Sequence, residues 1–371
     1  MTHLQVSGPV RTALVGFGVA GSVFHAPLLA HNADYRLDVI VTGDAQRVAT
    51  AQQRYPQARV LPDWPALLKA IDGGEIGIDL IVLATPPAQH AEQAVQASQR
   101  AIHLVVDKPF APDVQAAEMM IAAAQQANTL LTVFHNRRWD GDFLTLQRLV
   151  HKEAFGTVRS FESRFEWWRP QGFGNWRDSV TLAQGGGLLL DLGSHLIDQA
   201  IQLFGPVAHA TAELARHSGP QSDSDEDCFV SLLHHNGVRS RLWMNGQAAL
   251  NAPRFHLLGS KGAFTHWGLD NQEPQLAAGM SPGDSQYGVT PAENVARAGT
   301  VGATTTVPIE RGHYPAFYQL LANALIHGGP PPVDAREALG VLQLIEQLHR
   351  QHRVRIASRA NIFLTEGMND V

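Results

Sequence analysis

Over the first 135 residues, short and nearly unbroken apolar runs alternate with longer stretches whose apolar positions recur at helical spacing. The runs are Thr12 to Val15, Leu37 to Val41, Asp79 to Leu83, His103 to Val106 and Leu130 to Phe134. Such runs predict strands covered on both faces. The segments Ala45 to Arg54, Ala88 to Arg100 and Asp113 to Asn128 predict the helices that cover them. Strand-helix alternation of this kind predicts a doubly wound parallel α/β sheet. After about residue 150 the pattern changes: Val158 to Trp168, Cys228 to His235, Val238 to Met244 and Arg254 to Leu258 predict strands with few helices between them. That is the texture of an α+β domain built on a large, open, mainly antiparallel sheet. Polar, turn-rich stretches at Ser218 to Asp227 and Asn271 to Gly302 are expected to be loops. Pro315 to Ile326 and Asp334 to Arg350 predict helices, but the pattern does not say which sheet they cover.

The chain has 371 residues, in line with two domains of about 150 residues or somewhat more. Charged residues make up 17% and the net charge is −6, which gives no field for gripping a phosphate backbone, so nucleic-acid binding is not expected. The single cysteine, Cys228, cannot form an intramolecular disulfide, and a reducing cytoplasm is the expected location. No apolar run approaches the ~18 residues of a membrane span, and Val10 to Val23 is too broken by arginine, glycine and serine for a secretory leader. Neither a membrane nor secretion is expected.

The motif Gly16-Phe17-Gly18-Val19-Ala20-Gly21 follows the first predicted strand. In that setting the first glycine permits a tight turn, the second lets a pyrophosphate approach the backbone, and the third lets helix and strand pack closely. The free N–H groups of the following helix then face the phosphates. Residues 1–135 are therefore expected to form a dinucleotide-binding Rossmann domain, and 136–371 a substrate-binding and oligomerisation domain. The end of the second strand, Thr42-Gly43-Asp44 with Arg47 one turn on, leans towards NADP, with NAD as the other option. Thr42 and Gly43 leave room for a 2′-phosphate, Asp44 argues against it by charge, and Asp44 also suits a helix N-cap.

Asp107-Lys108-Pro109 follows the strand His103 to Val106, at the carboxyl edge where open α/β sheets bind ligands. A lysine there can stabilise an alkoxide or bind a hydroxyl. Further on, Gly185 to Gln202 reads as one apolar helix with Asp191, His195, Asp198 and Gln202 on a single polar stripe. His195 suits proton transfer near neutral pH, with Asp191 orienting it or holding substrate. The Asp/His pair lacks a third ligand, so no metal is expected.

These motifs together resemble the glucose-fructose oxidoreductase, inositol dehydrogenase and rhizopine-catabolism (Gfo/Idh/MocA) family over essentially the whole chain. The glycine motif, Thr85-Pro86-Pro87 with His90, the Lys-Pro pair and Asp191-Leu-Gly-Ser-His195 carry the resemblance. Gly21 to Leu29 with its His25, Phe134-His135-Asn136-Arg137-Arg138-Trp139-Asp140, and Asp198-Gln199 are similar to the branch containing NADP-dependent scyllo-inositol dehydrogenase. The family usually has Glu where this chain has Asp107. The resemblance implies Lys108, Asp191 and His195 as the catalytic set. It implies Thr85, Pro86 and His90 beside the nicotinamide, with Asp107 also on the cofactor, and a homodimer or homotetramer formed through the open sheet. Asn136 and one arginine, Arg137, are candidates for substrate binding. Arg169 and Trp176, in an aromatic, arginine-rich stretch, are candidates for a lid over a polyol.

The reading that unites these features is an NAD(P)-dependent dehydrogenase interconverting a secondary alcohol and a ketone on a cyclitol or sugar. Two alternatives are a glycosidase working by transient oxidation and a dinucleotide-sensing protein without catalysis.

Overall fold

The computed structural model describes residues 3–174, 178–218 and 222–356. Its first half holds strands β1 (Val10–Val15), β2 (Tyr35–Val41), β3 (Arg59–Leu61), β4 (Leu80–Leu83), β5 (His103–Val106) and β6 (Leu131–Val133). They form one sheet in the order β3-β2-β1-β4-β5-β6, all parallel. Every residue of β4 and β5 is buried, as the unbroken apolar runs require of strands covered on both sides. Strand β3 lies outside the five predicted runs, since its three residues include the exposed Arg59.

Helices α1 (Ala26–His31), α2 (Ala45–Arg54), α3 (Trp64–Asp72), α4 (Pro87–Ser98) and α5 (Val114–Gln126) connect the strands. An aspartate precedes three of them, and Asp44, Asp63 and Asp113 each accept a bond from the backbone N–H three residues on. These caps satisfy donors that a helix start leaves free. A π-helical turn, Ala20–His25, separates the glycine loop from α1.

Helix α6 (Gly141–His151) leads into β7 (Val158–Glu166). Helices α7 (Leu188–Asp191) and α8 (Gly193–Phe204) come next, then β8 (Val207–Arg216), β9 (Asp227–His234), β10 (Arg239–Asn245), β11 (Phe255–Gly259) and β12 (Ala263–His266). The remaining elements are α9 (Gln272–Ala277), β13 (Ala296–Thr300), β14 (Ala303–Val307), α10 (Pro315–His327), α11 (Ala335–Gln351) and β15 (Arg355–Ile356). The second sheet has the order β14-β13-β12-β11-β7-β10-β9-β8-β15. Its pairs are antiparallel except β7 with β10 and β8 with β15. In β9 and β10 every second residue is buried, so one face packs beneath α8 and the other stays open.

Three expectations need correction. The stretch Asn271 to Gly302 is not all loop: it contains α9 and β13. Strands β8 and β12 to β14 escaped the sequence pattern, and the β13–β14 hairpin is mostly exposed, so it lacks apolar alternation. The helix expected from Gly185 to Gln202 is two helices with a break at Leu192, whose φ is −105°, after left-handed glycines at 185 (φ 81°) and 187 (φ 97°).

The C-terminal helices return to the first sheet. Tyr314, Phe317, Tyr318 and Leu321 around α10 share one buried cluster with Val10, Leu14, Val105 and Phe134. Helix α11 packs against α5 and α8, bridging the two sheets.

Candidate active site

Gly16 holds a φ of 95°, and a Cβ there would lie 2.5 Å from the Ala84 carbonyl oxygen. A Cβ on Gly21 would lie 2.0 Å from the Gly16 carbonyl oxygen. Both glycines are thus dictated by close approach of backbone to backbone. At Gly18 the space is open, with only Arg47 Nη1 within 4 Å of a Cβ, at 3.9 Å. The loop therefore leaves one glycine face clear, as a pyrophosphate against the backbone needs. Phe17 turns into the core against Tyr55, so its backbone, not its ring, borders the loop. Ala20 is half-buried at the start of the π-helical turn.

At the end of β2, Thr42 is buried while Gly43, Asp44 and Arg47 are exposed. The Asp44 carboxylate accepts the Arg47 backbone N–H at 2.9 Å and so serves its own helix as N-cap. The Arg47 guanidinium leans over the glycine loop, by the 3.9 Å approach to Gly18. Thr85 and Pro86 flank the loop from β4, because Gly16 packs on the Ala84–Thr85 peptide. Thr85 Oγ1 donates to Gln93 Oε1. His90 is buried with one ring nitrogen against Phe110 O (3.0 Å) and the other against Thr85 O (2.9 Å). Its ring therefore ties the Thr85 loop to Phe110, and burial lowers its pKa.

Lys108 Nζ donates to Asp191 Oδ1 at 2.8 Å across the two halves of the chain. The lysine side chain is 20% exposed and the aspartate 4%, so the pair is largely shielded from solvent while the ammonium keeps some access to it. His195 is buried one turn beyond, its ring edge-on to His135 at 6.0 Å and to Phe165 at 6.4 Å. Nδ1 of His135 and of His195 is buried with no hydrogen-bond partner. Burial pushes the His195 pKa well below its ordinary value, and the nearby Lys108, Arg137, His135 and Arg254 push it further the same way. His195 is thus a neutral imidazole, able to accept a proton.

The expected single stripe breaks up. Asp191 is directed to Lys108 rather than to His195, and Asp198 takes both donors of a fork from Arg138 at 2.6 and 2.8 Å. Gln202 reaches Glu337 on α11. The turn at Leu192 rotates Asp191 away from the face that carries His195.

Asn136 is buried and its side chain makes no hydrogen bond among the described residues, which leaves the amide for a ligand. Arg137 differs from the expectation of a substrate contact. Its Nη1 donates to the Tyr314 hydroxyl and its Nη2 to Glu273, with Asp140 nearby, so these donors are engaged within the protein, while Nε has no partner among the described residues. Arg169 is exposed at the end of β7 and pairs through its backbone N–H with Gly246 O. Trp176 lies outside the described residues. No cluster of three or more His, Cys, Asp or Glu side chains that could hold a metal occurs among the described residues.

One residue around this site gave little signal in the sequence. Arg254, wholly buried, lies over the Phe165 and Phe255 rings and donates to Ser163 Oγ and Gln199 Oε1. Gln199 Nε2 in turn donates to the Arg137 carbonyl, tying the His195 helix to the Asn136 turn. A charged residue opening an otherwise apolar strand was the only hint of Arg254.

Comparison with known proteins identifies the family. The model of the oxidoreductase family with an NAD-binding Rossmann fold matches residues 10–135, and the GFO/IDH/MocA C-terminal domain matches residues 143–265. The NADP-dependent scyllo-inositol 2-dehydrogenase of Bacillus subtilis (strain 168) is 30% identical over 91% of this chain and 92% of its own length. An uncharacterised oxidoreductase of Escherichia coli (strain K12) is 35% identical over 92% of this chain and 96% of its own. The crystallised B. subtilis oxidoreductase YvaA superposes with a TM-score of 0.85 at 28% identity, covering 93% of this chain and 97% of that one. The protein belongs to the Gfo/Idh/MocA family of NAD(P)-binding oxidoreductases.

Proposed function

We propose that this oxidoreductase interconverts a secondary alcohol and a ketone on a cyclitol or sugar, with Lys108, Asp191 and His195 as its catalytic set. The observation that carries the reading is the Lys108–Asp191 bond at 2.8 Å, which joins the two halves of the chain one turn before the buried, neutral His195. Names among the relatives support the substrate class: besides scyllo-inositol dehydrogenase they include a D-glucoside 3-dehydrogenase and a D-apiose dehydrogenase.

The residues present fit a nicotinamide dinucleotide: the Gly16 to Gly21 loop supplies the close backbone approach, Thr42 and Gly43 the ribose end, and Thr85 with Pro86 the neighbouring wall. When bound, the dinucleotide supplies the hydride acceptor or donor. The protein's own part is to place the alcohol and move its proton. His195 accepts the hydroxyl proton in oxidation, because its environment keeps the imidazole neutral. The Lys108 ammonium, held by Asp191, stabilises the oxygen as negative charge grows on it. Asn136 offers its amide to a neighbouring hydroxyl.

Replacement of Lys108 by Ala is expected to lower kcat by roughly 100-fold or more while dinucleotide affinity changes by less than about threefold. Stopped-flow absorbance at 340 nm with inositols, glucose and xylose against both dinucleotides reads this. Wild-type turnover in the variant would remove Lys108 from the set. Release of free sugar without net absorbance change would point to the glycosidase alternative.

NADP is the preferred dinucleotide in this reading. Asp44 is engaged by its own helix, and the Arg47 cation beside Gly18 supports the choice by offering a positive partner for a 2′-phosphate. Arg47→Ala should weaken NADP binding by roughly tenfold while leaving NAD binding nearly as it was, measured by fluorescence titration. Similar affinity losses for both would argue against this role. The open face of the second sheet is the surface assigned to self-association as a homodimer or homotetramer, and the reducing cytoplasm is the compartment assigned to the enzyme. No helix among the described residues is long and apolar enough to cross a membrane.

A further inference from the structure

His25 is wholly buried at the end of the π-helical turn that follows the glycine loop, yet nothing in the proposed chemistry uses it. Its Nε2 faces Asp107 Oδ1 at 3.3 Å and its Nδ1 the Tyr318 hydroxyl at 2.7 Å. A carboxylate only accepts, so Nε2 carries the proton and donates to Asp107, and the Tyr318 hydroxyl donates to Nδ1. Tyr318 is itself fixed on α10, where its carbonyl accepts from the Tyr35 hydroxyl at 2.8 Å. The His25 ring packs on Phe134 with centroids 4.4 Å apart, immediately before His135 and Asn136. One imidazole, on the segment that leaves β1, therefore touches the segments leaving β5, through Asp107, and β6, through Phe134.

We propose that His25 is a positioning residue that fixes the Asp107–Lys108 turn, with Tyr318 of the returning helix as its support. The proposal rests on the reading of Lys108 as the catalytic cation. Asp107 is the residue directly before Lys108, and its backbone N–H is already fixed by the Leu83 carbonyl. The His25 bond fixes its side chain as well, so the turn that aims the ammonium at Asp191 is held at both ends. Asp107 has a shorter reach than a glutamate, and the buried imidazole beneath it meets that shorter carboxylate. A displacement of the ammonium by a fraction of an ångström suffices to slow a step that depends on its place.

The test uses the full-length protein with its dinucleotide and the polyol that the absorbance screen selects. His25→Leu is expected to lower kcat roughly tenfold or more, with a larger primary isotope effect from deuterated polyol, because the chemical step becomes slower. His25→Gln, which keeps a donor for Asp107, should recover part of the loss. Tyr318→Phe removes one hydroxyl from an otherwise unchanged packing, which makes it the variant least exposed to misfolding, and it should shift kcat and isotope effect in the same direction by a smaller factor. A structural role alone would lower the fraction of folded enzyme and leave the isotope effect unmoved. A second readout does not need turnover: the chain has four lysines, Lys69, Lys108, Lys152 and Lys261. Reductive methylation with 13C-formaldehyde gives one resolvable signal for each, and Lys108→Arg assigns the one of interest. That signal should move in His25→Leu and Tyr318→Phe and less in His25→Gln. An unmoved signal with unchanged kcat per dinucleotide site overturns the proposal. If the wild-type protein oxidises no polyol at all, the dehydrogenase reading fails, and the methyl signal still decides whether His25 positions Lys108.

Discussion

The chemistry at single residues turns on which charges are allowed to exist where. His195 is buried among cations, so a proton on it would be desolvated and repelled by Lys108, Arg137 and Arg254 at once. Its folded pKa lies well below 6.5, hence the imidazole stays neutral as pH falls through the range where a solvated histidine would charge. In the free enzyme, kcat/KM is therefore expected to hold level from pH 8 through 6.5 and to fall only at lower pH. A pH profile with its acidic midpoint near 6.5 would show that the environment does not act on His195 in this way. Lys108 was legible in the sequence because it ends a strand before a proline, and His195 because an imidazole on an apolar helix stands out. Arg137 was not, since nothing local shows that Tyr314 and Glu273, far along the chain, take its donors.

At the scale of elements, the site depends on a one-turn helix that cannot hold itself. Helix α7 has only four residues, fewer than an isolated helix needs, and Asp225 supplies what is missing. Its carbonyl accepts the Leu188 N–H, and its Oδ1 accepts the Leu189 N–H and the Cys228 thiol, while Oδ2 meets His349 Nε2 at 2.9 Å. A Cβ on Gly187 would lie 2.6 Å from Asp225 Oδ2, and the residue holds a φ of 97°. Gly187→Ala should therefore lower kcat by roughly tenfold through Asp191 and lower the melting temperature by several degrees, read by turnover assay and calorimetry on the same preparation. The break at Leu192 was invisible beforehand because Leu-Leu-Leu-Asp-Leu are acceptable helix residues. Five strands of the parallel sheet were legible one by one, since burial on both faces leaves little choice of composition, while the short edge strand β3 with its exposed Arg59 was not. The β13–β14 hairpin was not, because Thr and Ala on a mostly exposed ribbon have no buried partner to impose alternation.

For the whole molecule, stability and geometry are joined through a few buried polar links. Arg138 binds Asp198 on α8 and Glu337 on α11, and the two carboxylates hold it so firmly that its pKa rises further above the ordinary arginine value. Histidines set the acid limit. His103 Nδ1 accepts the Leu130 N–H, a bond that protonation would break, and burial lowers its pKa to about 4. Between that value and the 6.5 of the unfolded chain the unfolded state binds more protons, so stability is lost as pH falls through this window. From pH 6.5 to 5 the loss from His103 alone is about 2 kcal/mol, and a His103→Asn variant, whose Oδ1 still accepts the bond, should show a correspondingly shallower decline in urea melts.

The return of α10 to the first sheet also sets an order of events at the ribosome. Val10, Leu14 and Val105 emerge early, while Phe317 and Leu321 that cover them emerge near the end of synthesis. At roughly 5–20 residues per second the nascent nucleotide-binding half waits on the order of ten seconds or longer with an oily side bare. During that interval the newborn chain is a client for holding chaperones, and its solubility is decided before its last helices exist.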